Sequence, residues 1–206
     1  RWNLTEEVSA VAGVAATTPR VTGHALASRE DQSRALQVMG VDSATEPRVT
    51  RLDRSIVRGR YLERGNEILV GVDAAGALDV SPGDELVLVV QASDGSIGAD
   101  RFEVVGVFET GIKRIDGFVA QMPLAAAQSL YAFQGRFTEI AARVQDADRL
   151  DEVVGTVGNQ LRDRKVEVLG WPALMPSLVQ MVAFHDAVAY IVIFVVFVVV
   201  AAGIVN

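Results

Sequence analysis

Hydrophobic residues are distributed unevenly along the chain, and their longest run lies near its end. No charged residue follows Asp186, and Ala187–Val205 contains only apolar residues, one tyrosine and one glycine. A buried strand needs roughly 4–8 apolar residues, whereas a membrane-spanning helix needs about 20. A lone strand in hydrocarbon would leave its backbone groups unpaired, and a helix would not. The pattern therefore predicts a transmembrane helix over Ala187–Val205 and a water-exposed domain before it, up to about Phe184.

The segment before this run predicts a stalk. No glycine lies between Trp171 and Ala202, so we expect one helix from about Ala173 onward, with Pro176 causing only a kink. Because the sequence stops directly after the apolar run, we expect the chain to be a piece of a longer membrane protein.

Both ends of the water-exposed part alternate between helical and strand patterns. Apolar residues at helical spacing predict an amphipathic helix over Thr5–Ala16. A polar stretch joins two predicted strands, Arg20–Ala27 and Arg34–Val41, as a hairpin. Further along, the pattern predicts a β-α-β unit, with elements at Thr138–Val144, Asp148–Leu161 and Val166–Leu169. Together these elements predict a small open-faced α/β sandwich, in which strands from both parts of the chain belong to one sheet.

The pattern of hydrophobic and polar positions changes near Tyr61. Short strands, turn signals such as Pro82-Gly83-Asp84 and two small helices predict a separate β-rich lobe. Its predicted elements are strands Glu67–Gly71, Glu85–Gln91, Arg101–Phe108 and Phe118–Met122 and helices Asp73–Leu78 and Leu124–Leu130.

The predicted fold class is therefore α+β. A discontinuous α/β subdomain (residues 1–60 and 136–170) holds an inserted β-rich subdomain (61–135), and a stalk with the start of a transmembrane helix (171–206) follows.

Composition narrows the function classes. The 206 residues carry a net charge of −7, which argues against nucleic acid or an anionic membrane surface as a partner. Absence of cysteine excludes disulfides, thiol nucleophiles and thiolate zinc sites. No signal peptide is visible at Arg1, so export of the domain would need an earlier transmembrane segment.

Motifs for catalysis are absent from the sequence. It contains neither a G-x-x-x-x-G-K-[ST] phosphate loop nor a G-x-S-x-G nucleophile elbow. The two histidines, His24 and His185, are far apart and have no neighbouring metal-ligand pattern. We therefore predict no catalytic, cofactor-binding or metal-binding residues.

One segment suggests contact with a substrate or partner. Gly111–Gly117 sets two cations and two isoleucines between glycines, a composition that suits a contact loop, although a plain surface loop is the alternative. The predicted contact residues are Phe108, Ile112, Lys113, Arg114, Ile115 and Phe118. We expect this loop, with the strands Glu67–Gly71 and Phe102–Phe108, to present an apolar face to a lipidated or amphiphilic client.

Several short sequence motifs, considered together with their order and spacing, resemble those of a known family. The main ones are Gly59–Leu62, Asn66–Gly71, Ala77–Asp84 and Phe102–Gly111, and supporting ones are Met39–Asp42 with Glu46, Asp116–Val119 and Leu124–Leu130. These motifs resemble those of the periplasmic core domain of FtsX-like ABC transporter permeases, which include lipoprotein-releasing permeases and MacB-like exporters. The resemblance covers almost the whole chain, from Val8 to Asn206.

The resemblance implies an arrangement that the residues alone do not establish. Permeases of this group have four transmembrane helices, with the extracytoplasmic domain between the first and second, so the apolar run would begin the second. The implied partners are a separate ATP-binding subunit, a second permease subunit in a homo- or heterodimer, and a lipoprotein or amphiphilic substrate. The implied location is the cell inner membrane, with the globular domain in the periplasm and no bond chemistry in that domain.

Three function classes stay open at this point. The favoured hypothesis is release or export of a lipoprotein or amphiphile, driven by ATP hydrolysis in a separate subunit. The same resemblance is compatible with two alternatives: MacB-like efflux of small molecules or peptides, and an FtsX-type module that activates a cell-wall hydrolase. A membrane-anchored enzyme is the third class.

Overall fold

The computed structural model describes residues 2–174 and, further along, residues 184, 188–190, 192–194 and 196–197. Internal contacts divide the chain into two units, Arg1–Ala147 and Asp148–Asn206. Most of the predicted transmembrane segment Ala187–Val205, and of the stalk before it, lies outside the described residues. Among the residues that are described, no helix is both long enough and apolar enough to cross a membrane. The transmembrane helix therefore stays a prediction.

Eight strands and seven helices occur in the described part. The strands are β1 (Val14–Arg29), β2 (Gln32–Val41), β3 (Ile56–Gly59), β4 (Glu67–Gly71), β5 (Glu85–Gln91), β6 (Ile97–Phe108), β7 (Val119–Pro123) and β8 (Glu139–Val144). The helices are α1 (Trp2–Ser9), α2 (Glu46–Val49), α3 (Val72–Leu78), α4 (Lys113–Phe118), α5 (Leu124–Leu130), α6 (Leu150–Gln160) and α7 (Trp171–Leu174). Short 3₁₀ turns occupy Leu52–Ser55 and Ala147–Arg149. This content is the predicted α+β class.

All eight strands belong to one sheet; seven follow the order β2-β7-β4-β6-β5-β1-β8, and β3 pairs with β6 beside this path. Because β1 also pairs with β2, six of the strands close into a ring, to which β8 and β3 are attached through β1 and β6. The 16-residue length of β1 makes this closure feasible. One edge of β1 pairs with β2 over Arg20–Arg29, and the other pairs first with β8 and then with β5.

The observed strand pairings can be compared with the predicted ones. The predicted pairing of β1 with β2 and the sharing of their sheet with β8 are confirmed. Residues 61–122 do not form a separate sheet, contrary to the expectation of a separate lobe, because β5 pairs with β1 and β7 pairs with β2. The subdomain boundaries at residues 61 and 135 stay a prediction, and the hydrogen-bonded sheet crosses both of them.

Two predicted elements near the chain ends are wrong. The first helix ends at Ser9 instead of Ala16, because Gly13 adopts a φ of 92° and Val14 then pairs with Val144 of β8. The helix predicted at Asp148–Leu161 is present as α6, but Val166–Leu169 is not a strand in the described structure. The predicted β-α-β unit therefore lacks its second strand.

Two apolar clusters stabilise the unit Arg1–Ala147. The larger takes buried residues from all six strands of the ring and from α3 and α5. The smaller consists of Val41, Leu62, Leu69, Val105 and Phe108. Within β4, Ile68 and Val70 belong to the larger cluster and Leu69 to the smaller one. Burial on both faces explains why this strand is an unbroken apolar run in the sequence.

Glu67, the first residue of β4, anchors the chain segment that leads to it. Its carboxylate accepts hydrogen bonds from Arg60 Nη2 at 2.7 Å, from Arg60 Nη1 at 3.3 Å and from the Glu63 backbone N–H at 2.7 Å. Burial alone would raise the pKa of Glu67, but the hydrogen bonds from Arg60 and Glu63 outweigh it and the pKa is lowered. Ionised Glu67 therefore contributes stability above its unfolded-state pKa, and this contribution is lost as the pH falls through the lowered native pKa.

We expect Glu67→Gln to lower the free energy of unfolding at pH 7 by about 1–3 kcal/mol, because a buried charge-assisted set of hydrogen bonds is weakened. The difference from the unsubstituted chain should begin to shrink as the pH falls below the unfolded-state pKa of about 4.3, and it should be lost as the pH falls further through the lowered native pKa. Urea unfolding between pH 7 and pH 3.5 measures both effects. Glu63→Gln is the matched control, since its exposed carboxylate lies 3.8 Å from Arg60 and its backbone N–H is unchanged. A difference that stays constant over this pH range would contradict the prediction.

Candidate functional site

A buried aspartate shapes the segment that the sequence singled out as a contact loop. The carboxylate of Asp116 accepts hydrogen bonds from the Thr110 backbone N–H at 2.8 Å, the Thr110 hydroxyl at 2.7 Å and the Gly111 N–H at 3.0 Å. Gly111 adopts a φ of 77°, which favours glycine at this turn. Residues after the turn form the short helix α4, so the expectation of a loop through Gly117 is wrong. The carboxylate fixes the start of α4 relative to the end of β6.

Helix α4 is held on the sheet by a close backbone approach and by one side chain. Gly71, at the end of β4, lies against the backbone of Asp116, and a Cβ atom on Gly71 would meet the Asp116 carbonyl oxygen. Ile115 is partly buried and packs against the cluster that contains Phe108. The outward face of α4 is therefore presented in one orientation.

That outward face combines apolar and basic side chains. Ile112 is 55% exposed and Phe118 is 50% exposed, and Lys113 and Arg114 between them are exposed as well. The guanidinium carbon of Arg34, on β2, lies 4.9 Å from the centre of the Phe118 ring. Stacking of this kind contributes about 0.5–1 kcal/mol at exposed sites.

Arg34 also links α4 to the sheet. Its Nε donates a hydrogen bond to the Gly117 carbonyl oxygen at 2.8 Å. One arginine therefore supports both the backbone at the end of α4 and the exposed ring of Phe118.

The six predicted contact residues divide into three groups. Ile112, Lys113, Arg114 and Phe118 lie on the surface; Ile115 is half-buried; Phe108 is fully buried in the smaller apolar cluster. The Phe108 side chain has no exposed surface in this structure. It supports α4 because Ile115 packs against the apolar cluster to which Phe108 belongs. The structure thus brings four of the six together as an exposed set, which we call the α4 surface. Their contact with a substrate or partner stays a prediction.

Sequence reasoning missed residues beside this surface. The Glu109 backbone N–H donates to the Ser55 carbonyl oxygen at 2.8 Å, and Ile56 pairs with Phe108. The arginine-rich segment before β3, with exposed Arg51 and Arg54, is therefore held alongside the segment that leads into α4. The run of arginines between residues 48 and 60 was the available signal, but the pattern there predicts a charged, irregular segment over Glu46–Arg60 with a helical turn around Leu52–Val57, and no contact with the segment that leads into α4. The structure has a 3₁₀ turn at Leu52–Ser55. Pairing of β3 with β6 is what places it.

Other surface features do not include the residues of the α4 surface. A shallow groove of about 290 Å³ is lined by residues that include Asp42, Glu63, Arg64 and Gln128, near the ends of β2 and β7, and by none of the six predicted contact residues. Among the described residues, no group of three or more His, Cys, Asp or Glu side chains is placed to hold a metal ion.

Comparison with known proteins places this geometry in a family. The sequence model of the family described as "MacB-like periplasmic core domain" matches residues 2–160. The lipoprotein-releasing system transmembrane protein LolC of Neisseria meningitidis serogroup B is 21% identical over 202 residues. That match covers 94% of this chain and 49% of the relative, so the chain spans about half the length of the curated relative it matches.

Two solved structures share the fold. The extracellular domain of the noncanonic ABC-type transporter YknZ from Gram-positive bacteria superposes with a TM-score of 0.57 and 16% identity, covering 78% of this chain and 81% of that one. The periplasmic region of MacB from Actinobacillus actinomycetemcomitans superposes with a TM-score of 0.55 and 12% identity, covering 79% of this chain and 73% of that one. At these identities the similarity concerns the fold.

Proposed function

Because the chain belongs to the MacB-like periplasmic core domain family, we propose that it is the extracytoplasmic domain of an ABC transporter permease subunit. In this proposal the domain couples ATP hydrolysis by a separate subunit to the release or export of a lipoprotein or amphiphilic substrate, and catalyses no reaction itself. The family match over residues 2–160 is the observation that carries the proposal. The relative named as part of a lipoprotein-releasing system, which matches 94% of this chain, supports the choice of substrate.

The proposed setting follows from the same membership. The globular domain lies in the periplasm and the rest of the protein in the cell inner membrane. The partners are an ATP-binding subunit and a second permease subunit, in a homo- or heterodimer. Export of small molecules or peptides is the second candidate, favoured by the fold shared with the periplasmic region of MacB.

The α4 surface supports an amphiphilic client. Ile112 and Phe118 offer apolar area, and each buried methylene group of a client would contribute about 0.8 kcal/mol. Lys113 and Arg114 keep their charged groups at the edge of that area, where the polar part of an amphiphile would lie. Since Asp116 and Gly71 fix α4 on the sheet, the surface is ordered before a client binds.

Site-specific photo-crosslinking in the full-length permease, together with its ATPase in membranes, tests this function. A photoreactive residue at position 112 or 118 should capture a lipoprotein or another amphiphile, and ATP hydrolysis should change the yield. Ile97 is the matched control because it is 80% exposed but begins β6, at the opposite end of that strand from the residues that lead into α4. Capture of a cell-wall hydrolase alone, independent of ATP, would replace the transport proposal with a regulatory one.

A further inference from the structure

Four cations lie on segments that pack next to the smaller apolar cluster. They are Arg51 and Arg54, around the 3₁₀ turn Leu52–Ser55, and Lys113 and Arg114 on α4. Within the described residues, none of them lies within ion-pair distance of an aspartate or glutamate, whereas Arg20, Arg29, Arg60 and others do form such pairs. Other exposed cations among the described residues, such as Arg58 and Arg143, also lie outside ion-pair distance of a carboxylate, so what distinguishes these four is that they are grouped on two neighbouring segments.

Packing explains why these four cations share one region. Leu52 and Ile115 are both partly buried against the cluster of Phe108, so the residues that flank them remain at its outer edge. The hydrogen bond between Glu109 and Ser55 holds the two segments side by side. These four basic residues therefore lie on two neighbouring segments beside the exposed apolar side chains Ile112 and Phe118.

Carboxylates on the same two segments do not neutralise this charge. Asp116 is buried and its oxygens are engaged with Thr110 and Gly111. One carboxylate oxygen of Asp53 is buried as well. Glu109 is exposed, so the accessible groups of these segments comprise four cations against Glu109 and the remaining oxygen of Asp53. Exposed Asp73 on α3 also lies beside Gly117 at the end of α4, but the four cations still outnumber the accessible carboxylates, on a chain whose net charge is −7.

We propose that this surface, formed by Arg51, Arg54, Ile112, Lys113, Arg114 and Phe118, binds an acidic polypeptide segment that also carries apolar side chains. The inference rests on the proposed function for its setting and specifies the part of a client or partner protein that the domain recognises. Apolar residues at the centre and charges at the edge are the usual arrangement of a protein–protein interface. The cations lie on two chain segments, which suits several carboxylates in succession along a bound chain, and complementary charge also accelerates association.

A membrane surface fits these observations less well. Only Ile112 and Phe118 are exposed apolar residues on the α4 surface, and the groove of about 290 Å³ is lined by none of its residues. Two exposed apolar side chains are too few for insertion into a bilayer, whereas a polypeptide segment can use two apolar contacts and several charge-assisted hydrogen bonds.

The test measures binding of a labelled 12-residue peptide of alternating leucine and glutamate to the full-length permease in detergent. We expect binding that weakens as salt rises, and a dissociation constant at least tenfold higher for the double variant Lys113→Glu/Arg114→Glu. Arg54→Glu should weaken binding in the same direction. Arg143→Glu is the matched control, since Arg143 is exposed on β8, and it should leave the dissociation constant within about twofold.

Two outcomes would overturn the inference: equal binding by the double variant and the control, or binding of phosphatidylglycerol vesicles to this surface with no binding of the peptide. Failure of the proposed function is distinguishable. Lipoprotein crosslinks at positions 112 and 118 that persist in the charge-reversed variant would retain the transport proposal and reject the acidic segment. Peptide binding without any transport client would do the reverse.

Discussion

Replacing Phe108 with alanine is expected to lower the free energy of unfolding by about 3–5 kcal/mol, as for other fully buried phenylalanines. The ring has no exposed surface and packs with Val41, Leu62, Leu69 and Val105. Its removal leaves a cavity in the cluster against which Ile115 packs, so α4 loses support from below. Urea unfolding followed by circular dichroism measures the loss, and crosslinking yield from position 112 reports whether the α4 surface is still ordered.

Ile112→Ala is the matched control for this variant. Ile112 is half-exposed and lies on the same segment, so its truncation should change the free energy of unfolding by no more than about 0.5 kcal/mol. It should nevertheless reduce client capture at position 118, because it removes apolar contact area. Equal stability losses for the two variants would show that Phe108 does not act as a core residue.

Local patterns were sufficient to predict most of the strands. In β1 and β2 the alternation of buried and exposed positions is visible in the sequence, and their pairing over Arg20–Arg29 needs only a short connection. The apolar run of β4 predicts burial on both faces, and the structure has it. These elements depend on contacts between neighbours in the sequence or on a period that one segment carries alone.

The closure of the sheet could not be predicted in the same way. The ring depends on β5 reaching β1 and on β7 reaching β2, and both pairings join segments that are distant in the sequence. Nothing in the period of either strand specifies its partner. The change in the pattern of hydrophobic and polar positions near Tyr61 therefore predicted a separate lobe, whereas backbone hydrogen bonds join the two regions in one sheet.

The candidate site shows the same division between local and distant contacts. Exposed Ile112, Lys113 and Arg114 were identified because glycines flank a short mixture of apolar and basic residues. The burial of Phe108 was missed because β3 and Leu62, which cover it, come from another part of the chain. Helix α4 was missed because its start depends on a carboxylate, Asp116, whose hydrogen bonds to Thr110 and Gly111 are not visible in a pattern of apolar positions.

Glu46→Ala is expected to lower the free energy of unfolding by about 3–5 kcal/mol, because it leaves a buried guanidinium without its main partner. The Glu46 side chain is 1% exposed and that of Arg20 is 11% exposed. Its carboxylate accepts from Arg20 Nη2 at 2.6 Å, from Arg20 Nε at 3.0 Å and from the Thr50 hydroxyl at 2.8 Å. These bonds tie α2 to β1, and the remaining neighbour of Arg20, the Glu139 carboxylate at 3.7 Å on exposed β8, is a weaker substitute. Chemical denaturation at pH 7 measures the loss.

Burial, more than geometry, should determine this cost, and the chain contains a matched pair that tests it. Arg149 and Glu152 form the same two-bond arrangement, at 2.7 and 2.9 Å, but both side chains are exposed. Glu152→Ala should therefore have an effect several times smaller than Glu46→Ala, since water and salt already screen that pair. The double variant Arg20→Met/Glu46→Leu should recover most of the stability lost in Glu46→Ala, because neither charge is then left buried alone. A double variant as unstable as Glu46→Ala would mean that the hydrogen bonds themselves, and not the unpaired charge, hold α2 on β1.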